Sequence, residues 1–186
     1  DMEDDPTFFQ RNTETSDKEK ITSIGDSHNL VGGGTRLYAG AAWRLREKDF
    51  SKHSIYGKVA GASLVDWPIK YQDLKPFYAK AEREIRISSY GANYDSIAGK
   101  DPTAPPGSYE NILPRSQADS FSIRLSKGGR ELGLNPFGIP LAIDDALCRW
   151  GGMCSGYACA FGAKSSVDVR LLPEALEKGL HLYTRY

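Results

Sequence analysis

Helices and extended segments mixed along one chain, an α/β class, are what this sequence of 186 residues predicts. Three observations lead there. A triple glycine, Gly32-Gly33-Gly34, precedes Thr35 and the apolar residues Leu37, Tyr38, Ala41 and Ala42, which fall at helical spacing. A period of three and four runs through Tyr71, Leu74, Phe77, Tyr78, Ala81 and Ile85. Stretches at 65–69 and 135–143 carry prolines that push their predecessors out of the helical region.

Taken in order, residues 1–29 are polar and lean acidic, with Phe8, Phe9, Ile21 and Ile24 as anchors, and read as a long ordered loop. The glycines then form a loop that a ligand can approach closely. Glycine has no Cβ and takes positive φ without steric cost, so its amides can converge on an anion. Thr35 is a suitable N-cap, and a helix N-terminus behind such a loop favours phosphate. A glycine-rich surface turn is the competing reading. The spacing is neither G-x-G-x-x-G nor a P-loop. Asp49-Phe50 and 57–63 read as loop. The helix over 71–85 is expected to carry Pro76 in its first turn, where a missing N–H does no harm. Residues 88–114 form a Gly-, Pro- and Ser-rich excursion. Ala118, Phe121, Leu125 and Leu132 mark a second helix, weakened by Gly128-Gly129. Asn135 to Ile143, with Pro136 and Pro140, reads as an edge strand at best. Pro173 to Lys178 is a short helix with Gly179 at its C′ position.

Lys+Arg and Asp+Glu balance at 24 each, which gives no electrostatic reason to expect nucleic acid or an acidic membrane as partner. No apolar run is long enough to span a bilayer. The chain opens on Asp1 and stops in the strand-like Leu182 to Tyr186, so an internal piece of a longer protein is expected. All three cysteines, Cys148, Cys154 and Cys159, lie within twelve residues, in a glycine-rich stretch. Cys-x5-Cys-x4-Cys suits a loop wrapping a metal centre. Structural zinc normally takes four protein ligands, and His181 is remote. Three thiolates suit a three-iron cluster. A loop with three free thiols, or one disulfide and a spare cysteine, stays open beside it.

Four ordered segments carry a resemblance: VGGGTRLYAGAAWRLREKDF at 31–50, VDWPIKYQDLKPFYAKAEREIRI at 65–87, RELGLNPFGIPLAI at 130–143 and CSGYACAFGAKSSVDVRLLPEALEKGLHLYTR at 154–185. Together they resemble the glucose–methanol–choline (GMC) family of FAD-dependent oxidoreductases, most of all its bacterial sugar and sugar-acid dehydrogenase branch. The resemblance implies an internal part of the GMC fold: FAD-binding part at 1–63, the start of a substrate-side cap at 64–140, and a cysteine-rich return to the FAD-binding domain at 141–186. It implies Gly32, Gly33, Gly34 and Thr35 at the FAD pyrophosphate, and Gly40 and Ala41 near the isoalloxazine. Cys148, Cys154 and Cys159 would hold a 3Fe-4S cluster that passes electrons to an external acceptor, a quinone or cytochrome subunit. The implied activity is oxidation of CH–OH groups of a sugar, sugar acid or other alcohol, by a dehydrogenase rather than an oxidase.

The sequence also departs from that pattern. It has no strand and G-x-G-x-x-G turn for the ADP half of FAD, and no segment with the family's catalytic histidine. His28, His53 and His181 read as loop or surface histidines, so no catalytic residue is expected within these 186 residues. Arg36 and Leu37 stand where some relatives attach FAD through His, which implies non-covalent FAD. Gly151 stands where other relatives have a further cysteine. A non-catalytic iron–sulfur or metal-binding module, its glycine loop incidental, is the alternative from another class; a flavin spectrum separates the two.

Overall fold

The computed structural model describes residues 8–10, 20–22, 30–90, 100–115, 118–152 and 154–184. Its centre is the stretch expected to be an edge. Leu141 bridges antiparallel to both Ala41 and Ser88, and Ile143 bridges antiparallel to Lys164. Both backbone groups of Leu141 pair with Ser88 (2.8 and 2.9 Å), while Ala42 N–H reaches Pro140 O at 2.9 Å and Ala142 N–H reaches Gly40 O at 2.7 Å. Pro140 costs nothing at this centre, because only its carbonyl is used.

Strands β3 (Ser88–Ser89) and β4 (Leu113–Pro114) pair in parallel and extend the small sheet on one side. Ile87, Ile112, Ala142, Ile143 and Ala163 are buried around it. Ser88 and Ser89 are also buried, and each hydroxyl donates to a carbonyl, Ile143 O at 2.7 Å and Gly138 O at 2.9 Å. These bonds satisfy hydroxyls that would otherwise be costly to desolvate. At the start of the chain, β1 (Phe8–Gln10) and β2 (Lys20–Thr22) pair antiparallel, where a loop was expected.

Helix α1 (Lys52–Tyr56) is a single turn that the sequence reading passed over. Helix α2 (Tyr71–Glu84) is the expected long helix, but Pro76 is its sixth residue and not in the first turn. Its ring leaves one intrahelical bond unmade on an exposed face. The buried stripe also differs. Tyr71 and Glu82 are its buried residues, whereas Phe77 is 67 % exposed. Helix α3 (Ser120–Glu131) starts where the Asp119 carboxylate accepts the Ser122 N–H at 2.8 Å, a good N-cap. Phe121, Leu125 and Leu132 project from it exposed. Helices α4 (Val167–Arg170) and α5 (Leu172–Glu177) follow, with Gly179 at φ +93° ending the second as expected.

Asp144, just past the central stretch, gathers charged partners. Arg86 Nε lies 2.5 Å and Arg170 Nη2 2.8 Å from its Oδ2. Burial raises the Asp144 carboxyl, but bonds and charge from Arg86 and Arg170 outweigh it and hold the pKa below the usual value. The folded pKa is thus lower than the unfolded value of about 3.9. The contribution is present above that value and is lost as pH falls through the folded pKa. In the full-length protein, Asp144→Asn should cost about 3 kcal/mol at pH 7. That gap to wild type should narrow progressively below about pH 4; urea midpoints of both proteins across the acid range check it, and a pH-independent gap would count against the pairing.

Candidate functional site: the glycine loop and the cysteine loop

The glycine loop is a short 3₁₀ turn, Gly33–Arg36, and no helix follows it. The helical spacing of Leu37, Tyr38, Ala41 and Ala42 is overridden by tertiary pairing. Gly40 adopts φ +88° and turns the chain into the central sheet, where Ala41 bridges Leu141. Thr35 is not an N-cap either. Its hydroxyl donates to Gly32 O at 2.5 Å and accepts the Val167 N–H at 3.1 Å, tying the loop to α4. Arg36 Nε adds an ion pair to Asp168 Oδ2 at 3.4 Å.

The three glycines differ in what surrounds them. Gly32, at φ +93°, has no room for a side chain, since a Cβ would lie 2.5 Å from Asp168 Oδ1 and 2.9 Å from Arg36 Cγ. At Gly33 and Gly34 a Cβ would meet nothing within 4 Å beyond the adjoining backbone. Gly33 takes φ +54°, while Gly34 needs no positive φ. Packing therefore explains the glycine at 32, and backbone conformation favours the one at 33. Neither explains the glycine at 34, where the backbone stands bare on an exposed face.

Behind this loop lies the second constellation. Cys148, Cys154 and Cys159 are all free thiols and all line one cavity of about 280 Å³, together with Trp150, Tyr157, Phe161 and Lys164. Among the described residues, no group of three Cys, His, Asp or Glu side chains is gathered so that it could hold a metal ion. Burial raises the Cys159 thiol, but N–H groups of Lys164, Phe161 and Ala163 directed at the sulfur outweigh that and draw its pKa below the ordinary value. Trp150 takes φ +56° and stacks on the Arg115 guanidinium at 4.9 Å, with Tyr90 against the same cation at 5.3 Å.

Lys164 joins the two loops. It is 1 % exposed, and its ammonium donates to Tyr38 O at 3.0 Å, Cys154 O at 2.6 Å and Tyr157 O at 2.6 Å. The Gly156 N–H adds a bond to Leu37 O at 2.7 Å. Burial pulls the Lys164 pKa below the usual lysine value, opposed by charge on Cys154 and Cys159. A cavity of about 260 Å³ opens on the far side of the Ala42–Arg46 stretch, lined by Trp43, Asp49, Asp101, Ser108 and Tyr109. Its floor is the Arg44–Glu82 ion pair, with Arg44 Nη2 2.6 Å from Glu82 Oε2.

Sequence reading missed Lys164, Arg44 and Glu82. The available signal was a lone charge inside a run of small residues, Gly162-Ala163-Lys164-Ser165-Ser166, and a carboxylate on the apolar stripe of α2. His53 and His181 are exposed, and His28 lies outside the described residues.

No protein-family model matches the chain. It is 30 % identical over 161 residues to paromamine 6'-oxidase of Streptomyces fradiae, which covers 83 % of this chain and 27 % of that protein. Against 6'''-hydroxyparomomycin C oxidase of Streptomyces lividus it is 32 % identical over 163 residues, 83 % of this chain and 28 % of the relative. Against the gluconate 2-dehydrogenase flavoprotein of Pantoea cypripedii it is 26 % identical over 167 residues, 77 % and 27 % of the two. The chain is a relative of the GMC-type oxidoreductases. It spans about a quarter of the length of these curated GMC relatives. Two of the three are named as oxidases and one as a dehydrogenase flavoprotein, so the names alone do not favour the dehydrogenase type for this GMC relative.

Proposed function

We propose that the full-length protein is an FAD-dependent oxidoreductase acting on a CH–OH group of a sugar, sugar acid or other alcohol. The carrying observation is the similarity to two proteins named as oxidases and a gluconate 2-dehydrogenase flavoprotein, and the bare backbone at Gly33 and Gly34 leaves room for the cofactor that reading needs. Open space above two glycines is what a closely approaching pyrophosphate needs. FAD, when bound, supplies the acceptor for the hydride leaving the substrate carbon. The chain's own part is to bind and orient. Gly32 keeps the turn tight against Asp168, while Gly33, Gly34 and Thr35 would hold the pyrophosphate and Gly40 and Ala41 would bring sheet backbone towards the flavin ring. The substrate hydroxyl proton goes to a base that we place outside these 186 residues.

The three cysteines would be the seat of a 3Fe-4S cluster serving an external acceptor. Their shared cavity and the N–H groups on Cys159 support it. The lack of a gathered metal-holding set among the described residues weighs against it.

Gly34→Val in the full-length protein is the discriminating test. With nothing beyond the adjoining backbone within 4 Å of the new Cβ, the melting temperature should stay close to wild type. FAD should bind at least about tenfold more weakly, about 1.4 kcal/mol. Flavin absorbance per chain reads the result, and iron analysis of the same wild-type sample reads the cysteines. Wild-type occupancy in a folded Gly34→Val protein would leave the glycines as a surface turn.

A further inference from the structure

We infer that Lys164 is a positioning residue for the proposed reaction: its ammonium clamps the cysteine loop onto the glycine loop and places a positive charge at the foot of the cofactor path. The inference rests on the FAD reading above and adds a residue to it.

The ammonium has three donors, and the structure gives it three carbonyl acceptors, one from the glycine loop at Tyr38 and two from the cysteine loop at Cys154 and Tyr157. The Tyr38 ring lies 5.9 Å from the same nitrogen. Stability alone does not account for a lysine here. A charge buried among neutral dipoles is costly, and an apolar side chain of the same length would fill the space without that cost. What an apolar residue cannot do is bind three carbonyls from two loops that share no strand pairing. Both loops are glycine-rich, with positive φ at Gly32, Gly33, Gly152 and Gly156, and one backbone bond, Gly156 N–H to Leu37 O at 2.7 Å, joins them beside the Lys164 contacts. Lys164 itself is well held. It pairs through Ile143 with the central stretch, and the neighbouring Ser165 N–H reaches Ala142 O at 2.8 Å. The clamp therefore transmits the rigidity of the core to both loops. Its charge favours any group on the glycine loop that gains electrons or is already anionic.

Wild type, Lys164→Met and Lys164→Arg are compared as full-length proteins by two readouts. One is the midpoint potential of the bound flavin; the other is hydrogen exchange of the Gly156 amide, which bonds Leu37 O at 2.7 Å. Lys164→Met should lower the potential and speed exchange of the Gly156 amide at least about tenfold. Lys164→Arg, which keeps the charge and several donors, should restore most of both. Unchanged potential and unchanged exchange in Lys164→Met would overturn the proposal. Wild type purified without flavin would instead remove the FAD reading, and the exchange comparison would still decide the clamp. Should Lys164→Met not accumulate, wild-type exchange decides: a protected Gly156 amide is expected, and exchange of that amide at the free-loop rate refutes the clamp.

Discussion

Glu82→Ala is expected to lower the unfolding free energy of the full-length protein by about 3–5 kcal/mol. Arg44 Nε and Nη2 each lie 2.6 Å from a Glu82 oxygen, and both side chains are only 3 % exposed. Arg44 Nη1 also donates to the Tyr71 hydroxyl at 2.8 Å, which donates onward to Pro106 O at 3.1 Å. One guanidinium thus joins the Ala42–Arg46 stretch, helix α2 and the loop around Pro106. Burial lowers the Arg44 pKa, but the bonds to Glu82 and Tyr71 outweigh it, so the cation persists at every working pH. Removing the carboxylate leaves that cation desolvated and short of acceptors, which is where the large cost arises. The pair as a whole is another matter, because two buried charges partly cancel their own desolvation. Arg44→Met combined with Glu82→Leu should therefore recover most of the loss. A urea-denaturation cycle over the four proteins checks this, and a loss below about 1 kcal/mol in Glu82→Ala would reduce the pair to the value of a surface contact.

Gly32→Ala should be nearly as damaging, at about 2–4 kcal/mol from two separable sources. The residue sits at φ +93°, outside the comfortable range of an L side chain. Its new Cβ would also lie 2.5 Å from Asp168 Oδ1. Asp168 cannot move freely, since it bonds the Ser166 hydroxyl and pairs with Arg36. Shortening it in Gly32→Ala/Asp168→Ala should return the steric part and leave the backbone part. Thermal melts of the single and double variants measure the split. No recovery in the double variant would mean that φ alone sets the requirement for glycine.

Local signals proved most informative where local forces decide the outcome. The period over 71–85, the spacing of Ala118, Phe121, Leu125 and Leu132, and Gly179 after α5 all describe interactions within a few residues, and each element is present. The helix after Thr35 is absent because Gly40 and the pairing of Ala41 with Leu141 override a weak periodic pattern. Pro136 and Pro140 suggested an edge, yet Leu141 lies between two partners, since a carbonyl-only contribution from Pro140 suffices there. Within the site, clustering of the cysteines was visible as spacing, and they do line one cavity. The lysine between the loops was marked only by a lone charge among small residues, and its bond to Tyr38, 126 positions away, had no local signal.

Remoteness of that kind bears on how the molecule assembles. The Lys164 bond to Tyr38 spans 126 positions, and that of Ser88 to Ile143 spans 55. Closing such long loops is slow, because the entropy is lost before any contact compensates for it. During synthesis the glycine loop leaves the ribosome long before Leu141, Lys164 and Asp168, the residues that shape it. It must wait as exposed, glycine-rich chain until they arrive, so the part nearest the proposed cofactor path is among the last to acquire its form.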